Sequence, residues 1–250
     1  MLKRIILTGS LLAAAGGAVA SDSWTGWYAG VNVGQGSLDA QSSAALSGSW
    51  SSESAATQTA VLDALSGEYD GSGTSWGLFA GYDHDFDNGF VLGIEAEYGD
   101  HGANGEDVQS VADTSSALEY TVGQVFEAGD SYSIRPRFGY AGEQVMAYVT
   151  AGWAWTDVDF ATALTETGLD NGYAKLGGAS KSFSQTVFGA GLEFRFGGNW
   201  SGRLEYLRYN GGDVTYDLEY VPGSTFPGYG ETITQDFDAD VIRLGLAYRF

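Results

Sequence analysis

Apolar side chains recur at every second position in eight separate stretches, the period of β-strands with two unlike faces. Residues 27–36 set Ala29, Val31 and Val33 against Tyr28, Gly30 and Asn32. Residues 76–83 set Trp76, Leu78, Ala80 and Tyr82 against Gly77, Phe79, Gly81 and Asp83. Over 92–98, Leu92, Ile94, Ala96 and Tyr98 alternate with Gly93, Glu95 and Glu97. The pattern returns over 131–140, 145–155, 183–196, 200–209 and 240–250, where Arg135, Arg137, Glu193, Arg195, Arg203, Glu205, Arg243 and Arg249 hold the polar face. Eight strands are predicted, an even number.

The connections alternate in length. Short ones lie at Asp87-Asn88, Gly142-Glu143-Gln144 and Gly197-Gly198-Asn199, while the other four cover residues 37–73, 100–130, 158–182 and 211–239, that is 37, 31, 25 and 29 residues. Short turns on one side and long loops on the other are the pattern of an outer-membrane barrel, which places both ends of the chain on the short-turn, periplasmic side. Parts of the long loops keep a strand-like alternation, in "ALEYTVGQVFEAG" and "DVTYDLEYV". Residues 52–65, followed by Gly67, predict a short helix.

The stretch "GYDHDFDNGF" offers a rival reading, because Asp83, Asp85 and Asp87 alternate as in a calcium loop. The spacing fails: position 6 of that loop is Asn88 and position 12 is Ile94, with Gly89 and Glu95 each one residue late. A hairpin turning at Asp87-Asn88-Gly89 fits instead, with residues that tolerate positive φ.

Alternation also suits a soluble β-protein, and face chemistry separates the two. Here the polar face interleaves glycine with Glu95, Glu97, Arg135, Arg137, Glu193, Arg195, Arg203, Glu205, Arg243 and Arg249. Small residues beside paired charges suit the crowded, polar lumen of a small barrel, with apolar side chains turned outward to lipid. Trp27, Tyr98, Tyr140, Trp153, Trp155, Trp200, Tyr206 and Tyr248 mark the ends of the apolar face, as interfacial girdles do. The fold expected is therefore all-β, an eight-stranded antiparallel transmembrane β-barrel.

Residues 1–20 carry a basic start at Lys3 and Arg4, an apolar run and the small-residue site Ala18-Val19-Ala20, a cleaved signal peptide that leaves 21–250 as the barrel domain. There is no cysteine, so neither disulfides nor thiolate metal sites arise. The net charge of −21 argues against nucleic acid as a partner. The acids gather in the long connections, which hold 21 Asp and Glu against Lys175 and Lys181 alone. That acidic exterior reads as a hydrated surface. Within it Asp236, Asp238 and Asp240, which share one face of a strand, and the pairs Glu106-Asp107 and Asp157-x-Asp159 are the candidates for a divalent cation. A lipid hydrolase needs a histidine beside a nucleophile and an orienting carboxylate. His84 lies beside a short turn, and His101 at a loop base follows Asp100, but neighbours on a strand point to opposite faces, so His101 is expected to be solvated.

Several runs together resemble a known group: "WTGWYAGVNVG", "VLGIEAEYG", "IRPRFGYAGEQVMAYVTAGWAW", "GAGLEFRFGGNWSGRLEYLRY" and the closing "VIRLGLAYRF". They are similar to the porin-family outer membrane immunogenic proteins of alphaproteobacteria, relatives of the opacity-protein and OmpA-type barrels. Pro136 between two arginines departs from a regular strand and predicts a local irregularity. The resemblance implies insertion by the barrel-assembly machinery, which reads the terminal Phe250. It also implies a setting of outer-membrane lipid and lipopolysaccharide. The expected function is that of a non-enzymatic surface barrel without cofactors, its lumen filled by ion pairs and its loops open to an extracellular ligand. The alternative is a narrow channel for ions or small solutes.

Overall fold

The computed structural model describes residues 23–115, 118–167, 173–223 and 228–250; the expected signal peptide lies outside them. Ten strands are present among the described residues: β1 Gly26–Gly48, β2 Gly67–Asp85, β3 Phe90–Asp100, β4 Asn104–Ala112, β5 Glu119–Ala141, β6 Val145–Thr167, β7 Ala174–Arg195, β8 Trp200–Asp217, β9 Glu219–Tyr220 and β10 Tyr229–Arg249. Eight of them close a ring of antiparallel neighbours, β1–β2–β3–β5–β6–β7–β8–β10 and back to β1. The barrel ring thus has eight staves, while the strands number ten rather than the expected eight. Two staves of the ring are interrupted, with β4 resuming beside β5 after His101-Gly102-Ala103 and β9 resuming beside β7 after Leu218.

The four long connections are mostly strand rather than loop. β6 runs 23 residues, roughly 75 Å at ~3.3 Å per residue, where a tilted membrane strand needs about 9–11. The wall therefore continues far beyond the apolar band. The predicted helix forms as α1, Ala55–Leu65, after a 3₁₀ turn at Ser49–Ser52; the Ser54 side chain caps it by accepting from the Thr57 amide at 3.1 Å. β2 begins at Gly67, opposite Ser42, and β4 meets β2 through the single pair Ser72–Asn104. Above that point α1 packs against β1, β4 and β5 and takes the place of the missing stave.

The faces follow the expected rule in the half nearest the short turns. Val31, Val33, Leu78, Ile94, Phe138, Val149, Leu192, Leu204 and Leu244 point outward, and the girdle aromatics Trp27, Tyr140, Trp153, Trp155 and Trp200 are exposed with them. Beyond the girdle the rule reverses, which corrects the single inside–outside assignment. There Leu38, Val61, Leu65, Phe126, Val158, Phe160, Leu164, Ile233 and Phe237 form one buried hydrophobic core inside the ring. Asp39, Glu68, Asp70, Asp157, Asp159 and Asp236 face outward.

Two devices produce the reversal. In β1, β6 and β10 the alternation runs on unbroken while the apolar residues change parity: Val145, Val149 and Trp153 are exposed, whereas Val158, Phe160 and Leu164 are buried. In β5 and β8 the parity is kept and an irregularity turns the strand over. The register of β5 slips between Ala128 and Ser131, and that of β8 against β10 slips between Asp236 and Asp238, beside Gly211. A Cβ on Gly211 would lie 1.7 Å from the Phe237 carbonyl oxygen, so only glycine fits this bulge.

Candidate functional site

Register decides which charges meet inside the lower half. Glu95 pairs with Arg135 across β3 and β5, Gly93 with Arg137, Glu193 with Arg203 across β7 and β8, and Glu205 with Arg243 across β8 and β10. Glycine opposite a long side chain leaves it room to cross the lumen: a Cβ on Gly245 would sit 2.9 Å from Arg203 Cγ.

Five arginines and five carboxylates interlock there. Arg135 reaches Glu95 at 2.7 Å and Glu97 at 2.8 Å. Arg137 reaches Glu193 at 2.9 Å and Glu95 at 3.2 Å. Arg203 meets Glu95 at 2.5 Å, Arg243 meets Glu205 at 2.5 Å and also binds Glu97, and Arg249 meets Asp83 at 2.9 Å. Each of these charges is almost wholly buried. Taking ions out of water is costly, and equal numbers in mutual contact offset that cost. Aromatic groups complete the packing: Tyr28 donates to Glu95 at 3.0 Å and Tyr148 to Glu205 at 2.9 Å. The Arg137 guanidinium lies 4.1 Å over the Tyr148 ring and that of Arg203 lies 3.5 Å over Phe79.

Nine of the ten expected lumen residues join this assembly. Arg195 instead sits at the short-turn mouth, 4.1 Å over the Trp24 ring and donating to the Ser23 carbonyl at 2.5 Å. Three participants escaped the sequence reading. Asp83 stood on the polar face of its strand, with Phe79 and Gly81, but without a role among the ion pairs. Tyr28 and Tyr148 occupied the polar face without a role. The hairpin forms as expected, with Asp87 at φ 61° and Gly89 at φ 87°, and Asp85 accepts from the Asp87 amide at 3.0 Å. At Pro136 the β5–β6 pairing skips a step, as a missing amide requires, and Thr150 donates to the Pro136 carbonyl at 2.8 Å.

The lumen is covered at both ends. Below, buried Trp24 donates from Nε1 to the Gly142 carbonyl at 2.8 Å and packs with Val91, Met146 and Tyr148. Above, the hydrophobic core and α1 lie over the ion pairs, with a second polar cluster at the tip. There Glu231 binds Lys175 and accepts from Trp50 Nε1 at 2.7 Å and from the Tyr173 hydroxyl at 2.6 Å, tying together segments from three of the long connections. A hydrogen bond to Glu53 pushes the Tyr229 hydroxyl up to about 12, and burial pushes that of Tyr173 upward.

The cation candidates come out differently. Asp236, Asp238 and Asp240 do share the outward face, but Arg208 bridges Asp238 and Asp240 at 2.8 Å each, and Tyr206 donates to Asp240 at 2.5 Å. Among the described residues, no three acids or histidines gather as a metal would need. Ser180 donates to Asp159. His101 is not solvated: its ring is buried edge-on against Tyr209 at 4.3 Å, because the wall continues past the expected loop base. His84 is exposed beside Phe86.

Residues 5–250 match the outer membrane protein beta-barrel domain family. The 31 kDa outer-membrane immunogenic protein of Brucella melitensis is 31% identical over 195 residues, 74% of this chain and 70% of its own. The 25 kDa outer-membrane immunogenic protein of Brucella canis is 32% identical over 174 residues, 70% of this chain and 64% of its own. The crystal structure of OprG from Pseudomonas aeruginosa aligns with 90% of this chain and 96% of its own at 12% identity, with a TM-score of 0.47. With a family match over nearly its whole length, the chain belongs to the outer membrane β-barrel family and is an integral barrel of the outer membrane.

Proposed function

We propose that the protein is a non-conducting, non-enzymatic surface barrel that presents a rigid, acidic wall outside the cell. The short turns, Trp24 and Phe250 face the periplasm in this reading, and the tip built around Glu231 faces outward. The observation that carries it is the interlocked set of five arginines and five carboxylates, each almost wholly buried, lying between the Trp24 seal and the hydrophobic core. An eight-strand ring leaves an interior just wide enough for side chains to fill. The exposed position of Phe250 supports recognition by the assembly machinery. The buried His101 ring packs against Tyr209 and its Nε2 makes no hydrogen bond, so no serine or carboxylate engages that nitrogen, which supports a non-catalytic role. Lipid and lipopolysaccharide surround the apolar band.

The test is to insert the purified protein into planar bilayers after showing that unheated samples migrate as a compact barrel on a gel. The expected result is a silent membrane with a heat-modifiable band. Discrete, repeatable conductance steps would replace this reading with that of a narrow channel.

A further inference from the structure

Among the described residues, the outer wall above the girdle is acidic and polar except at one place. Cross-strand register lines up Val108 of β4, Gly123 of β5, Ala163 of β6 and Leu176 of β7 in one row. The adjoining row brings Val125, Ala161 and Gly178 beside it. Val108, Val125 and Leu176 are 65%, 48% and 55% exposed, although they lie on strands whose other face is the buried core. The strip is open at its centre, where a Cβ on Gly123 would meet nothing within 4 Å. Acids frame it: Glu106 lies opposite Val125, Glu127 opposite Asp159 in the row below, and Glu219 opposite Leu176.

An apolar patch rimmed by charge on an otherwise polar wall marks an interaction surface. We propose that this strip docks a polypeptide whose own surface carries an apolar centre and a rim of lysine or arginine. The proposal rests on the outward orientation of the long-loop end. Charge selects the occupant. A second copy would set the same acids against each other, and the chain carries a net charge of −21. Membrane acyl chains are out of reach, because Ala161 stands six residues beyond the girdle residue Trp155 on β6, about 20 Å along the strand. Anionic lipid headgroups meet the same acidic rim. A basic-rimmed protein satisfies both the apolar centre and its frame.

The full-length protein in nanodiscs of zwitterionic lipid is titrated with a synthetic peptide alternating lysine and valine, followed by fluorescence anisotropy. A glutamate–valine peptide and empty nanodiscs serve as references. The strip variant Val125→Ser with Leu176→Ser should weaken binding of the lysine peptide at least tenfold while its heat-modifiable band persists. The rim variant Glu106→Gln with Glu219→Gln should weaken binding and flatten its salt dependence. The proposal is overturned by no binding, by equal binding of the glutamate peptide or empty nanodiscs, or by a strip variant that binds as the parent does. Sedimentation showing self-association that the strip variant abolishes would also overturn it, in favour of a second copy. Both variants leave the lumen intact, so conductance would defeat the non-conducting reading without touching this one.

Discussion

Glu95 on β3 and Arg203 on β8 stand four places apart in a ring of eight, on opposite walls, and their side chains meet at 2.5 Å. Glu95 also holds Arg135 and Arg137, so one carboxylate joins three arginines across the whole width of the lumen. Its loss leaves those charges buried with one partner fewer. Glu95→Gln should cost about 3–5 kcal/mol, the cost of breaking a buried pair, read as a lower urea midpoint for unfolding in detergent. An unchanged midpoint would show that the ionic layer is not packed as described.

The reversal of faces gives the same substitution opposite outcomes on one strand. Val31 and Ser43 both point outward from β1, the first into the apolar band and the second above it. Val31→Lys should cost about 2–4 kcal/mol, as a lysine facing the bilayer centre does, and Ser43→Lys should stay within about 0.5 kcal/mol. Phe126→Ala, inside the upper core, should cost about 3–5 kcal/mol. Equal penalties at Val31 and Ser43 would contradict the two-storey arrangement.

The tip is held by a buried carboxylate. Glu231→Gln leaves Lys175 buried against the Tyr229 carbonyl and weakens what joins Trp50 to Tyr173. Limited proteolysis should then cut the tip at least about tenfold faster, since cleavage follows the population of the opened form, while the stem stays protected. Parent-like cleavage would show that the tip is held elsewhere.

Arg208 occupies the place a cation would take between Asp238 and Asp240. Calcium titration of the parent should give no saturable heat. Arg208→Ala frees both acids and should create a weak site, with Kd on the order of 10⁻⁴–10⁻³ M, as in weak extracellular sites. Saturable binding by the parent would mean that the guanidinium does not block the acids.

Much of the lower barrel was legible because membrane strands write their faces into a period of two. Leu92 to Tyr98 named the lipid side of β3, and Glu95 and Glu97 named the lumen. Asp83 stood on the right face, with Phe79 and Gly81, but its place beside the turn and next to Asp85 and Asp87 gave no sign that an arginine from the far end of the chain would meet it. The upper core was harder to see. Its apolar residues alternate as regularly as those below, and only their move from odd positions (Val149, Trp153) to even ones (Val158, Phe160) says that they point the opposite way. The signal was the change of parity at Trp155–Asp157, where an outward aromatic gives way to an outward acid.

By itself the chain determined that it would form alternating strands, turn sharply at Asp87-Asn88-Gly89, and carry arginine and glutamate on one face with aliphatic residues on the other. Those are local properties, set by how side chains leave an extended backbone. Only closure of the ring decided that Glu95 meets Arg203, that Trp24 seals one mouth, and that α1 replaces a stave above β2. Such contacts depend on which strands become neighbours and on the solvent each level meets. Lipid outside the lower wall draws aliphatic side chains outward, and water outside the upper wall drives them in.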